Sequence, residues 1–125
     1  MWTEYNPNPL GRRVGDCAVR ALAKALNTDW ETAYLMIAVQ GYIMKDMPSS
    51  NAVWGSVLRR NGFKRETIPN TCPDCYTIED FANDHPTGTY VAGTGTHVVT
   101  IVNGVVYDSW HSESELPQYF WTRED

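Results

Sequence analysis

Cys17, His97 and Asp108 are the residue types of a nucleophilic centre, and each sits in a local context suited to that chemistry. Cys17 opens the alanine-rich run Gly15-Asp16-Cys17-Ala18-Val19-Arg20-Ala21-Leu22, which reads as the start of a helix. Unpaired N–H groups and the dipole at a helix N-terminus favour a thiolate. The same N–H groups can hold an oxyanion. His97 and Asp108 flank two β-branched runs, Val98–Val102 and Val105–Val106. In a Cys-His-Asp arrangement the thiolate attacks a carbonyl, the imidazole acts first as base and then as acid, and the carboxylate orients it.

That chemistry needs elements able to bring the three together. Asn103-Gly104 between the two runs predicts a hairpin, because a type I′ turn takes positive φ at both central residues. If Val102 pairs with Val105, His97 faces Trp110 and Val99 faces Asp108. Side chains alternate faces, so these four are expected on one side of the hairpin. His97 and Asp108 become diagonal neighbours, with Cβ atoms roughly 7 Å apart and side chains within reach. One imidazole nitrogen is then left for a thiol. Trp110 is expected to keep water off the pair.

The remaining elements run helices first and strands later. Residues 1–15 form an ordered arm, with Asn6-Pro7-Asn8-Pro9 extended. A first helix spans about Asp16 to Leu26, and its alanines predict close backbone contacts in a central position. Thr28-Asp29-Trp30-Glu31 matches a capping box for a second helix that Gly41 is expected to stop. Ser49 or Ser50 starts a third, ending at Asn61-Gly62, before an extended Arg65–Ile68. Thr77 caps a short fourth helix to about Asn83. Strands follow near 89–92, 98–102 and 105–107, with Leu116–Trp121 as an edge element. The fold class is therefore α+β, with an N-terminal central helix packed on a C-terminal antiparallel β-sheet.

At 125 residues the chain is expected to be one domain, 1–125. Its 42% hydrophobic and 12% aromatic content suits a packed core. A net charge of −5 argues against a nucleic-acid binder, which needs a basic face. No apolar run approaches the roughly 18 residues of a membrane span, and Met1–Pro7 lacks the basic start and apolar centre of a secretory signal. Three cysteines without such a signal point to a reduced, cytoplasmic setting.

The layout resembles the papain-like cysteine peptidases. There a Cys opens a central helix, a His begins a strand, and an Asn or Asp orients it from a neighbouring strand. Papain-type enzymes carry Asn-Ser-Trp at the third position, the Trp shielding the His–Asn pair, and this chain has Asp108-Ser109-Trp110. The pattern from Asn6-Pro7-Asn8-Pro9 to Gly15-Asp16-Cys17 is also similar to small uncharacterised cysteine-peptidase-like proteins of bacteria and their phages. The resemblance spans about residues 6–110. It implies a papain-like fold, a catalytic triad of Cys17, His97 and Asp108, support from Trp110, a peptide or protein substrate, and no metal or cofactor. The family places a Gln six residues before the nucleophile to complete the oxyanion hole. Here Gly11 stands at that position, so Asn8 or Asn6 becomes the expected donor.

Each feature also has a plainer reading. Cys17 can be a small buried side chain, His97 a hydrogen-bonded strand residue, and Asp108 a strand-ending turn residue. Cys72-Pro73-Asp74-Cys75 has the spacing of half a zinc site, with His85 and His111 as remote further ligands, but loop thiols held reduced are the simpler reading. The aromatic run Tyr119-Phe120-Trp121 reads as packing. Together the features favour a thiol hydrolase that cleaves a peptide or isopeptide bond through a Cys17 thioester. The alternatives are a catalytically silent module that holds a peptide or host protein, and a deamidase or cell-wall amidase using the same triad. A zinc-stabilised interaction protein is a third class.

Overall fold

The computed structural model describes residues 1–69 and 75–124, and over them the chain is α+β. In chain order the elements are β1 (Trp2–Glu4), α1 (Cys17–Ala25), α2 (Trp30–Met44), α3 (Asn51–Arg60), β2 (Lys64–Thr67), α4 (Ile78–Asp84), β3 (Thr89–Gly93), β4 (Val98–Val102), β5 (Val105–Asp108) and β6 (Tyr119–Thr122). One six-stranded sheet has the order β1-β5-β4-β3-β6-β2. β1 pairs parallel with β5, and the remaining neighbours are antiparallel.

The sheet is a middle layer with an apolar cluster on each face. Val91, Val98, Tyr119 and Trp121 pack with α1, α2 and α3. Ala92, Val99, Ile101 and Val106 pack with Ile78, Phe81 and Ala82 of α4. α1 lies across β3, β4 and β5 and also meets α2 and α3, the central place its small side chains allow. Thr100 ties it to the sheet by donating from Oγ1 to the Ala21 carbonyl at 2.7 Å.

Several sequence expectations need correction. The sheet is mixed rather than antiparallel and not confined to the C-terminal half, because the arm contributes β1, which pairs parallel with β5. The tail strand β6 is not an edge, since it sits between β3 and β2. Asp29, not Thr28, caps α2, accepting from the Thr32 N–H at 2.7 Å. Gly41 does not stop α2. One glycine costs a helix only about 1 kcal/mol, and here a Cβ would lie 2.9 Å from the Asp46 carbonyl, where the chain folds back. The helix ends instead at Lys45, in the left-handed conformation with φ 56°. At Thr77 the capping box forms with Asp80, and α4 runs to Asp84.

Candidate active site

The hairpin takes the predicted register, with Val102 opposite Val105, Ile101 opposite Val106 and Thr100 opposite Tyr107. Asn103 and Gly104 both have positive φ, 50° and 77°, as a type I′ turn requires. The paired residues stop at Thr100 and Tyr107, and Asp108 pairs onward with Glu4 of β1. Of the four side chains expected on one face, Val99 departs into the cluster under α4. His97, Asp108 and Trp110 do come together, because they lie past the paired stretch, where strict alternation no longer binds them.

His97 precedes β4 in a loop held by Thr94, whose Oγ1 accepts the His97 N–H at 3.0 Å. The Thr94 N–H in turn donates to the His97 carbonyl at 2.8 Å. The His97 side chain is 8% exposed, and its Nε2–H donates to Asp108 Oδ2 at 2.6 Å. Its ring lies 4.7 Å from that of Trp110, with a 50° tilt. Trp110 itself is well exposed, so it covers the pair from outside and leaves the cleft open.

Cys17 is half-buried at the first position of α1 and shares the cleft with His97 and Val98, close enough for both to act on its sulfur. Burial pushes the thiol pKa up. The hydrogen bond and charge of His97, the Val98 N–H and the Arg20 charge outweigh it and bring the pKa below the usual thiol value. For His97, burial lowers the pKa, but the bonds to Asp108 and then Cys17, with both their charges, raise it to about 9. The Asp108 pKa is pushed up by burial and more than restored by His97, Ser112 and Ser109, ending below the usual carboxylate range. A thiol moved down beside an imidazole moved up is the pattern of a thiolate–imidazolium pair.

Asp108 is fully buried and surrounded by donors that the sequence reading missed. Ser112 Oγ donates to Oδ2 at 2.6 Å, the Ser109 N–H donates to Oδ1 at 2.7 Å, and Arg20 Nη2 donates to Oδ1 at 3.1 Å. Arg20 carried a signal in the sequence, a charge amid alanines one turn beyond Cys17. Ser112 carried none, because its contact depends on the turn after β5.

The arm has a different job from the one expected. Asn6 Nδ2 donates to the Arg12 carbonyl at 3.3 Å, and Asn8 Oδ1 accepts from the Leu10 N–H at 2.9 Å. Neither amide lines the cleft at Cys17, so Asn6 and Asn8 are corrected from oxyanion donors to turn-forming residues. The arm instead takes three successive carbonyls of the Asp108 segment. The Tyr5 N–H donates to Asp108, Arg13 Nη1 to Ser109, and Trp2 Nε1 to Trp110. Oxyanion donors are available at the start of α1, where no side chain caps the first turn. Asp16 occupies the cap position, but its carboxylate accepts from Arg20 and from Trp30 Nε1.

Cys17 and His97 open onto a cavity of about 590 Å³. Trp30, Tyr34 and Ile37 of α2, Trp54 of α3 and Tyr119 of β6 wall it, giving an apolar recess beside the thiol. Tyr119 thus faces a cleft as well as packing in the core. Cys75 is disulfide-bonded rather than a reduced loop thiol, and Cys72 lies outside the described residues. His85 stacks on Phe81 and His111 on Trp2, and among the described residues no three His, Cys, Asp or Glu side chains gather as a metal site would need. No helix among the described residues is long and apolar enough to cross a membrane. Comparison of the chain with known protein families, curated proteins and solved structures finds no match to any of them.

Proposed function

We propose that this protein is a papain-like cysteine hydrolase of peptide or isopeptide bonds, working without a cofactor. The observation that carries this reading is the continuous chain of contacts from Cys17 through His97 to Asp108, at the edge of an apolar cleft. The Cys17 thiolate adds to the amide carbonyl, and the backbone N–H groups at the uncapped start of α1 receive the developing oxyanion. The His97 imidazolium protonates the leaving amine, giving a Cys17 thioester. His97 then takes a proton from water, which attacks the thioester and releases the acid. Asp108 holds the imidazole orientation throughout. The substrate is a peptide or protein whose apolar residue fills the Trp30–Tyr34–Trp54 recess. A deamidase or cell-wall amidase would share every step through the thioester.

Alkylation by iodoacetamide tests the reading. Cys17 is expected to react at pH 6 at least about tenfold faster than an ordinary free thiol, and His97→Ala is expected to abolish that advantage. Labelling of Cys17 at the ordinary rate would sink the proposal. A silent peptide-binding module is the second reading, favoured by Gly11 at the position where the family carries its oxyanion Gln, with neither Asn6 nor Asn8 lining the cleft in its place. Fast labelling without turnover of any amide in a peptide library would select it.

A further inference from the structure

Arg20 is only 6% exposed, in the middle of the alanine-rich central helix. A guanidinium there is costly unless opposite charges meet it. Its two terminal nitrogens are divided between two carboxylates, Nη1 donating to Asp16 and Nη2 to Asp108 Oδ1 at 3.1 Å. Nε has no partner among the described residues, so the side chain is not placed to maximise its own hydrogen bonds. Asp16 immediately precedes the nucleophile, and Asp108 holds the imidazole. The planar fork of Arg can span two such anions, whereas a lysine ammonium is a single point of charge.

We propose that Arg20 is a positioning residue of the Cys17 site, bridging Asp16 and Asp108 so that the helix bearing the nucleophile and the strand bearing the orienting carboxylate are fixed to each other. This inference rests on the hydrolase reading and assigns a residue that reading leaves out. Cys17, His97, Asp108, Arg20 and Asp16 then form a row of alternating charge, with every neighbour in the row in contact except that Asp16 and Cys17 are joined by the backbone. Two phenols also line the cleft beside the thiol, Tyr34 of α2 and Tyr119 of β6, the latter with its pKa raised by burial. Drawing Asp16 toward Arg20 also keeps its carboxylate off the first N–H groups of α1, leaving them for an oxyanion.

The pH profile of Cys17 alkylation, measured with thermal melting, tests this in the whole chain. Arg20→Lys is expected to fold and to shift the acid limb upward by about one unit, slowing labelling at pH 6 roughly tenfold. Asp16→Asn takes away one anchor of the bridge while Arg20 stays on Asp108, and is expected to slow labelling at pH 6 in the same direction, by less. An Arg20→Lys profile coincident with the parent, whatever its melting temperature, would overturn the proposal. Should Arg20→Lys not fold, Asp16→Asn decides, and labelling at or above the parent's rate overturns it. His97→Ala separates the two levels. If it leaves labelling unchanged, the hydrolase reading fails. If it slows labelling while Arg20→Lys does not, only the role of Arg20 fails.

Discussion

A thiol shifted down and an imidazole raised to about 9 set the pH window in which Cys17 can work. The rate constant kcat/KM for an amide substrate is expected to be bell-shaped. Its acid limb lies below the ordinary thiol range, and its alkaline limb is near 9, where His97 loses the proton it must give to the leaving amine. Stability follows a different curve. A raised His97 contributes stability that is present below its ordinary value of 6.5 and lost as pH rises through about 9. The lowered Cys17 contributes in the opposite sense over the same range, because the imidazole holds the proton the thiol gave up. The urea midpoint is therefore expected to change little from pH 7 to 8.5, and to fall with rising pH once Cys17→Ala removes the thiol. Asp108→Asn, which leaves no charge to hold the imidazolium, is expected to lower kcat by about 10²-fold or more, read in single-turnover assays.

At the scale of elements, two glycines decide where the site residues can go. Gly104 has φ 77°, and a Cβ there would sit 3.3 Å from the Ala82 carbonyl. Gly104→Ala is expected to cost about 1 kcal/mol in urea unfolding. It should also loosen the register that delivers His97 and Asp108. Gly93 stands opposite both Val98 and Tyr119, and the Tyr119 ring crosses it so closely that a Cβ would lie 2.1 Å from Cζ. Gly93→Ala must push that ring into the cleft or out of the core. The expected loss is about 1–3 kcal/mol, together with slower Cys17 alkylation.

At the scale of the whole molecule, the site is assembled from both ends of the chain. The helix brings Cys17 and Arg20, the hairpin brings His97 and Asp108, and the arm fastens the carbonyls of Asp108, Ser109 and Trp110. Trp2 contributes its indole N–H to the Trp110 carbonyl at 2.9 Å and stacks on His111 with ring centroids 3.7 Å apart. Trp2→Ala is expected to cost about 2–4 kcal/mol by urea titration. Because the Asp108 carboxylate keeps all four of its donors, His97, Arg20, Ser109 and Ser112, Cys17 labelling should fall less than in His97→Ala.

Features written within a few adjacent residues were legible in the chain. The Asn103-Gly104 turn fixed the hairpin register, Thr77 and Asp80 fixed the start of α4, and the small side chains after Cys17 marked the central helix, because backbone sterics and capping act locally. The three-residue β1 has no pattern of its own and exists by pairing with β5. β6 looked like an edge because strand order is set by which apolar faces meet, not by position along the chain. The bridge from Arg20 to Asp108 joins residues 88 positions apart, and Asn6 and Asn8 were drawn to nearby backbone rather than to the thiol. The sequence by itself determined the helix that Cys17 opens and the hairpin that carries His97 and Asp108. Only the tertiary structure decided what surrounds these three side chains, because a buried charge takes its partners from whatever side chains the packed layers bring within reach.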